Sequence, residues 1–193
     1  MRAETAMGAP TYKRAWAVSA EVAPSGAWCG SVKGVRGVIF LDPYGMEVEW
    51  ATVEAIADTQ ALDLWYFFPL MGLYRQAAND AVAIGANKRA RLKRVLGTDD
   101  WERAWYGTPH GPTDLLDDPQ TAVRTADINA IERYVKGRLA SVFKGAVLDP
   151  LRIYNKQHSP IASLFFAVSN PSKRPVQAAT EIASHILRQP GRR

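Results

Sequence analysis

A chain of 193 residues with 47% hydrophobic and 22% charged side chains is long enough for one cored domain and too apolar for a disordered one. No apolar run reaches the roughly 20 residues that span a bilayer, and no apolar leader follows the first basic residues, so neither a membrane span nor a secretory signal is expected. The formal charge of +5 attracts polyanions without identifying one, while the single cysteine, Cys29, excludes an internal disulfide and points to a reducing, cytoplasmic setting.

Residues 1–36, rich in Ala, Gly, Ser, Arg and Trp, show neither strand nor helix periodicity and read as a loosely ordered lead-in. A short strand over Trp16–Val22, stopped by Pro24, Ser25 and Gly26, is the one element they suggest. From Gly37 the pattern becomes regular. Val38 to Leu41 is a continuous apolar run ending at Asp42, which predicts a strand covered on both faces. Trp50, Val53, Ile56 and Ala57 at helical spacing predict a helix over 50–59, and "ALDLWYFFPL" is a second apolar strand ended by Pro69. Strand, helix and strand in such close succession form a βαβ unit, whose two strands must be parallel.

Beyond Pro69 the spacing predicts two helical pieces on either side of Gly85, with Gly97 as the stop. Asp99 or Asp100 can cap a short helix carrying Trp101 and Trp105 on one face, and "GTPHGPTDLLDDP" is a loop by composition. Ile128, Ile131, Val135, Leu139 and Val142 predict an amphipathic helix over 121–143. "LRIYN" and "IASLFFAVSN", joined by "KQHSP", predict an antiparallel hairpin. Pro175 then opens a last helix with Val176, Ala179, Ala183 and Ile186 on one face.

The expected fold is therefore α/β, with parallel strands ending in an antiparallel C-terminal hairpin and flanked by helices, over residues 37–189. That order is the second half of the Rossmann-like sheet of class I S-adenosylmethionine-dependent methyltransferases, an analogy of architecture and not of activity. Ligands of such sheets collect at the carboxyl ends of the strands. Asp42, Pro43, Tyr44 and Gly45 stand at such an end and form the candidate catalytic loop. In amino-group methyltransferases a carboxylate or amide here grips the amine to be methylated, and the aromatic stacks on a flat base. The plainer alternative is a strand stop with turn chemistry.

Phe68 and Pro69 end the second strand beside that loop, either lining a substrate pocket or packing on the next helix. Lys88, Arg89, Arg91, Lys93 and Arg94 form a basic run that could contact phosphates, or simply a solvated helix face near a C-terminus. His110, His158 and His185 lack metal-ligand spacing, and no metal is expected; Asn155 and His158 read as turn residues.

The stretch "RGVIFLDPYGMEVEWATVEAIADTQALDLWYFFPLMGLYR", with the later "LGTDDWERAWY" and "SPIASLFFAVSNP", resembles the three-Cys-motif partner family of bacterial proteins from about Arg36 to Leu187. The resemblance implies a methyltransferase-like fold and an association with a three-cysteine-motif protein of radical S-adenosylmethionine type, in a system that modifies nucleic acid or a small molecule. Longer members of the family begin with a glycine-rich loop, of the type Phe-Ala-Gly-Pro-Gly, in the half that should form the S-adenosylmethionine pocket. Gly8, Gly26, Gly30 and Gly34 sit in unpatterned sequence instead, so an N-terminally truncated member is expected, one that does not bind the cofactor alone. A non-catalytic partner subunit and an inactive fragment stay open beside the enzymatic reading.

Overall fold

The structure, a computed structural model, describes residues 36–107 and 122–188, together with the backbone of a two-residue strand, β1 (Ala15–Trp16). The chain then runs through β2 (Gly37–Leu41), α1 (Trp50–Asp58) and β3 (Leu62–Phe68), the expected βαβ unit. Helices α2 (Leu70–Gln76), α3 (Ala86–Leu96) and α4 (Trp101–Trp105) follow. A two-stranded ribbon of β4 (Tyr106–Gly107) and β5 (Val123–Arg124) leads to α5 (Ile128–Val142). The last elements are β6 (Ala146–Val147), β7 (Leu151–Tyr154), β8 (Pro160–Val168) and α6 (Lys173–Arg188).

The main sheet has the order β1-β2-β3-β8-β6, with β7 also on β8. β2 and β3 are parallel, with Leu41 opposite Tyr66, as the tight βαβ connection requires. β8 runs antiparallel to β3, and both β7 and β6 pair antiparallel with β8, so the predicted terminal hairpin is present. β7 takes the Pro160–Leu164 stretch of β8 and β6 the Ala167–Val168 stretch. β1 meets the outer edge of β2 antiparallel, opposite Phe40 and Leu41. The rest of the proposed Trp16–Val22 strand, with Cys29 and the upstream glycines, lies outside the described residues.

One sheet face carries the main core. Ile39, Leu41, Leu64, Tyr66, Phe68, Phe165 and Ala167 pack there with Val53 and Ile56 of α1, Leu70 and Leu73 of α2, Leu92 and Val95 of α3, and Ile131, Val135 and Leu139 of α5. The opposite face is covered by α6, whose Val176, Ala179, Ala183 and Leu187 pack on Trp65, Phe166 and Val168. That cover does not close over β2: Val38 is 50% exposed and Phe40 37%. The expectation of a strand covered on both faces is therefore corrected. The apolar run has one buried side, Ile39 and Leu41, and one open side.

Several details differ from the sequence reading: α2 ends at Gln76, well short of Gly85, α6 opens at Lys173 with Pro175 in its first turn, and α5 and the packed face of α6 shift for local reasons. α5 starts at Ile128 and not near 121, because Asp127 caps it: its Oδ1 accepts the Ala130 N–H at 2.7 Å, while Val123 and Arg124 are drawn into the ribbon with Tyr106 and Gly107. On α6, Ile186 is 47% exposed and Leu187 takes the place expected for it on the packed face; Ile182, 65% exposed, stands one turn before Ile186.

At Gly97 the predicted stop is present. Gly97 ends α3 in the left-handed conformation, φ 71°, and a Cβ there would run into the Trp50 ring. Asp100 holds the N-cap position of α4 but makes no capping bond, its carboxylate accepting instead from Arg103 at 2.7 Å.

Candidate functional site

Parallel pairing puts the ends of β2 and β3 on one rim of the sheet, so the Asp42–Gly45 loop and the Phe68–Pro69 exit are neighbours. Met46 fixes the spacing between them. Buried, it packs beside Gly72 in the first turn of α2, where a Cβ would lie 3.6 Å from Met46 Cγ and 3.7 Å from Pro69 Cβ. Gly45 makes the bend possible, with φ 69°, in the region that disfavours any Cβ. The loop is thus anchored behind and open in front.

Asp42 is exposed, and among the described residues no hydrogen bond or ion pair engages its carboxylate. Tyr44 is 86% exposed, a ring offered to solvent. Pro43 is half-buried between them. Chemically the arrangement presents an acceptor for an amine N–H next to a flat apolar surface.

Phe68 sits elsewhere in chemical terms. Only 1% exposed, its ring meets Tyr66 and Phe165 edge-on, at centroid distances of 5.4 and 6.0 Å, so it packs in the core as the plainer reading held. Pro69, half-buried at the start of α2, is the part of that exit near the loop. Beneath the same core face, burial pushes the Tyr66 hydroxyl far above its ordinary pKa.

The basic run divides. Arg89 donates from Nε to the Ile84 carbonyl at 3.1 Å and from a terminal nitrogen to the Ala81 carbonyl at 2.9 Å, and it pairs with Glu102; it clamps the turn before α3. Lys93 pairs with Asp99 at 2.5 Å. Lys88, Arg91 and Arg94 remain exposed, with no ion pair among the described residues. Of the five, these three are able to meet phosphates.

Two polar clusters that sequence reasoning missed are structural. Arg152 on β7 donates Nε to Glu132 Oε1 at 3.2 Å and a terminal nitrogen to Oε2 at 2.5 Å, and the buried Ser163 hydroxyl also donates to Glu132. Arg36 lies 3.2 and 3.3 Å from the carboxylate oxygens of Asp63, a 5% exposed side chain that also accepts the Ser169 N–H. Neither pairing was visible beforehand, because the partners lie 20 to 106 residues apart.

Tyr154 and His158 stand on the hairpin at the Asp42 rim, their rings stacked with centroids 5.6 Å apart. His185 lies on α6, and His110 outside the described residues. Among the described residues no group of three or more His, Cys, Asp and Glu side chains could hold a metal, and no helix is long and apolar enough to cross a membrane. Compared with known protein families, curated proteins and solved structures, the chain matches none of them.

Proposed function

We propose that this chain is a methyltransferase-like protein of the three-Cys-motif partner kind, serving as a binding subunit in a system that modifies an amine-bearing nucleic acid or small molecule. The observation that carries the reading is the run of strand senses. β2 and β3 point one way, β8 the other, and β7 returns with β3, so that Asp42 stands at the carboxyl rim of the parallel pair. The same sequence of senses closes the Rossmann-like sheet of class I methyltransferases. In this reading Asp42 accepts the substrate amine, Tyr44 stacks on its ring, and Gly45 keeps both at the rim; the contribution is positioning.

S-adenosylmethionine does not fit the described residues. The outer edge of β2, where a parallel strand with a glycine-rich loop would stand, is met by antiparallel β1, and the Asp42 loop faces solvent. The binding-subunit role is therefore the reading that the described residues support, with the three-cysteine protein as its partner.

Calorimetric titration of the purified chain with S-adenosylmethionine, beside capture of a purified three-cysteine-motif protein, tests the reading. Expected is capture of the protein without uptake of the cofactor. Tight cofactor binding by the chain alone would make it a methyltransferase in its own right, and failure of capture would remove the partnership. In the assembled system Asp42→Ala should cut modification at least about tenfold, the loss of one charge-assisted hydrogen bond, at unchanged circular dichroism. Undiminished modification would strip Asp42 of its role.

A further inference from the structure

We propose that the β7–β8 hairpin is a stacking platform for single-stranded nucleic acid, built on Tyr154 and His158 with Lys156 between them. The turn is complete without the histidine ring. Asn155 Oδ1 accepts the N–H groups of Gln157 and Ser159 at 3.0 and 2.8 Å, the His158 N–H reaches the Asn155 carbonyl at 3.0 Å, and the Asn155 N–H reaches Ser159 O at 2.9 Å. His158 nevertheless holds φ 60°, a left-handed position that glycine would fill without strain.

What the strained backbone carries is an aromatic surface. The imidazole stacks on Tyr154 with an interplanar angle of 26°; Tyr154 is 47% exposed and His158 is exposed. Strain retained for a ring that buries little is the pattern of a ligand surface. Lys156 is exposed in the same turn, and among the described residues it has no ion partner.

Position adds to this. Ser163 lies opposite Phe68, so Pro160–Ala162 and the turn project about 10 Å past the end of β3, on the rim that bears Asp42 and the exposed Tyr44. A projecting pair of rings with a cation fits unstacked bases and their phosphates, whereas a duplex keeps its base faces covered. The chain's charge of +5 favours the same ligand. The inference names a substrate class for the reading above and rests on that reading only for the shared rim.

Fluorescence anisotropy with labelled single-stranded RNA and DNA of about 12 nucleotides, and with the matching duplex, tests it across a salt series. Single strands should bind more tightly than duplex. Tyr154→Ala and His158→Gly should each weaken binding roughly 5- to 100-fold, and Lys156→Ala should lower the salt slope by about one unit. His158→Gly should at the same time raise the melting temperature, whereas a purely structural histidine would move the melting temperature alone. Absent single-strand binding at low salt, or hairpin variants that bind like the parent, would overturn the platform. Asp42→Ala in the same titration keeps the two readings apart: unchanged binding there, with loss in the hairpin variants, supports the platform whether or not the amine grip exists.

Discussion

Gly45 and Gly97 share a left-handed backbone, at φ 69° and 71°, yet substitution should affect them unequally. A Cβ at Gly45 meets open space, so Gly45→Ala should cost about 1 kcal/mol from backbone strain alone. A Cβ at Gly97 would strike the Trp50 ring, which Arg138 also covers from 4.7 Å. Gly97→Ala should therefore cost more than about 2 kcal/mol, strain plus overpacking. Urea midpoints separate the cases, and equal losses would mean that Trp50 yields freely. Phe68→Ala offers a further residue-scale check. As a core ring between Tyr66 and Phe165 it should cost about 3–5 kcal/mol, whereas a pocket-lining ring would cost far less. The sequence presented Phe68 as either. Strand alternation settles it only once the buried face is known, and that depends on partners far along the chain.

Helix α5 reaches the sheet through the Glu132 carboxylate, which meets Arg152 of β7 and Ser163 of β8. The spacing puts the start of α5 near 121, seven residues before the observed Ile128, because Val123 and Arg124 go into the ribbon instead. The signal that could have found it is Asp127 directly before Ile128, an N-cap residue at the head of the periodic run. The Ala130 N–H, and then the Asn129 side chain, hold the Asp127 carboxyl below its ordinary pKa. A depressed folded-state pKa means that the cap's stabilisation is present above the unfolded pKa and is lost as pH falls through the folded one. Asp127→Asn should keep the cap, since asparagine caps equally well, and should flatten the acid side of a melting-temperature profile; Asp127→Ala should melt lower at neutral pH. Identical acid limbs for the parent and the asparagine variant would refute the capping account. The same helix anchors β7 and β8 through Glu132. Glu132→Ala leaves Ser163 without its acceptor and Arg152 without its carboxylate, with Asn129 Oδ1 still accepting from it, and should cost about 3 kcal/mol. No periodicity announces such a contact, since Glu132, Arg152 and Ser163 come from three separate elements.

For the molecule as a whole, the sequence displayed the long elements and their order, but neither the short strands β4, β5 and β6 nor how the sheet is covered. A βαβ spacing forces parallel strands, and a five-residue turn forces a hairpin, so the senses of β2, β3, β7 and β8 were legible. Coverage depends on how far α6 reaches across the second face, and nothing in "GVIFL" records that. The outcome is an apolar strip, Val38 and Phe40 on β2, beside α6 with its exposed Ile182 and Ile186. Half or more of each β2 side chain is still buried, so both contribute part of what a core residue would, while their open portions add to surface stickiness. Val38→Thr with Phe40→Thr should therefore lower the thermal midpoint less than Phe68→Ala does, both replacements being β-branched residues suited to a strand. The double variant should also bind less of an apolar-surface dye and self-associate less in sedimentation. A large drop in the midpoint would mean that this face is packed in solution, and the strip would then count as core.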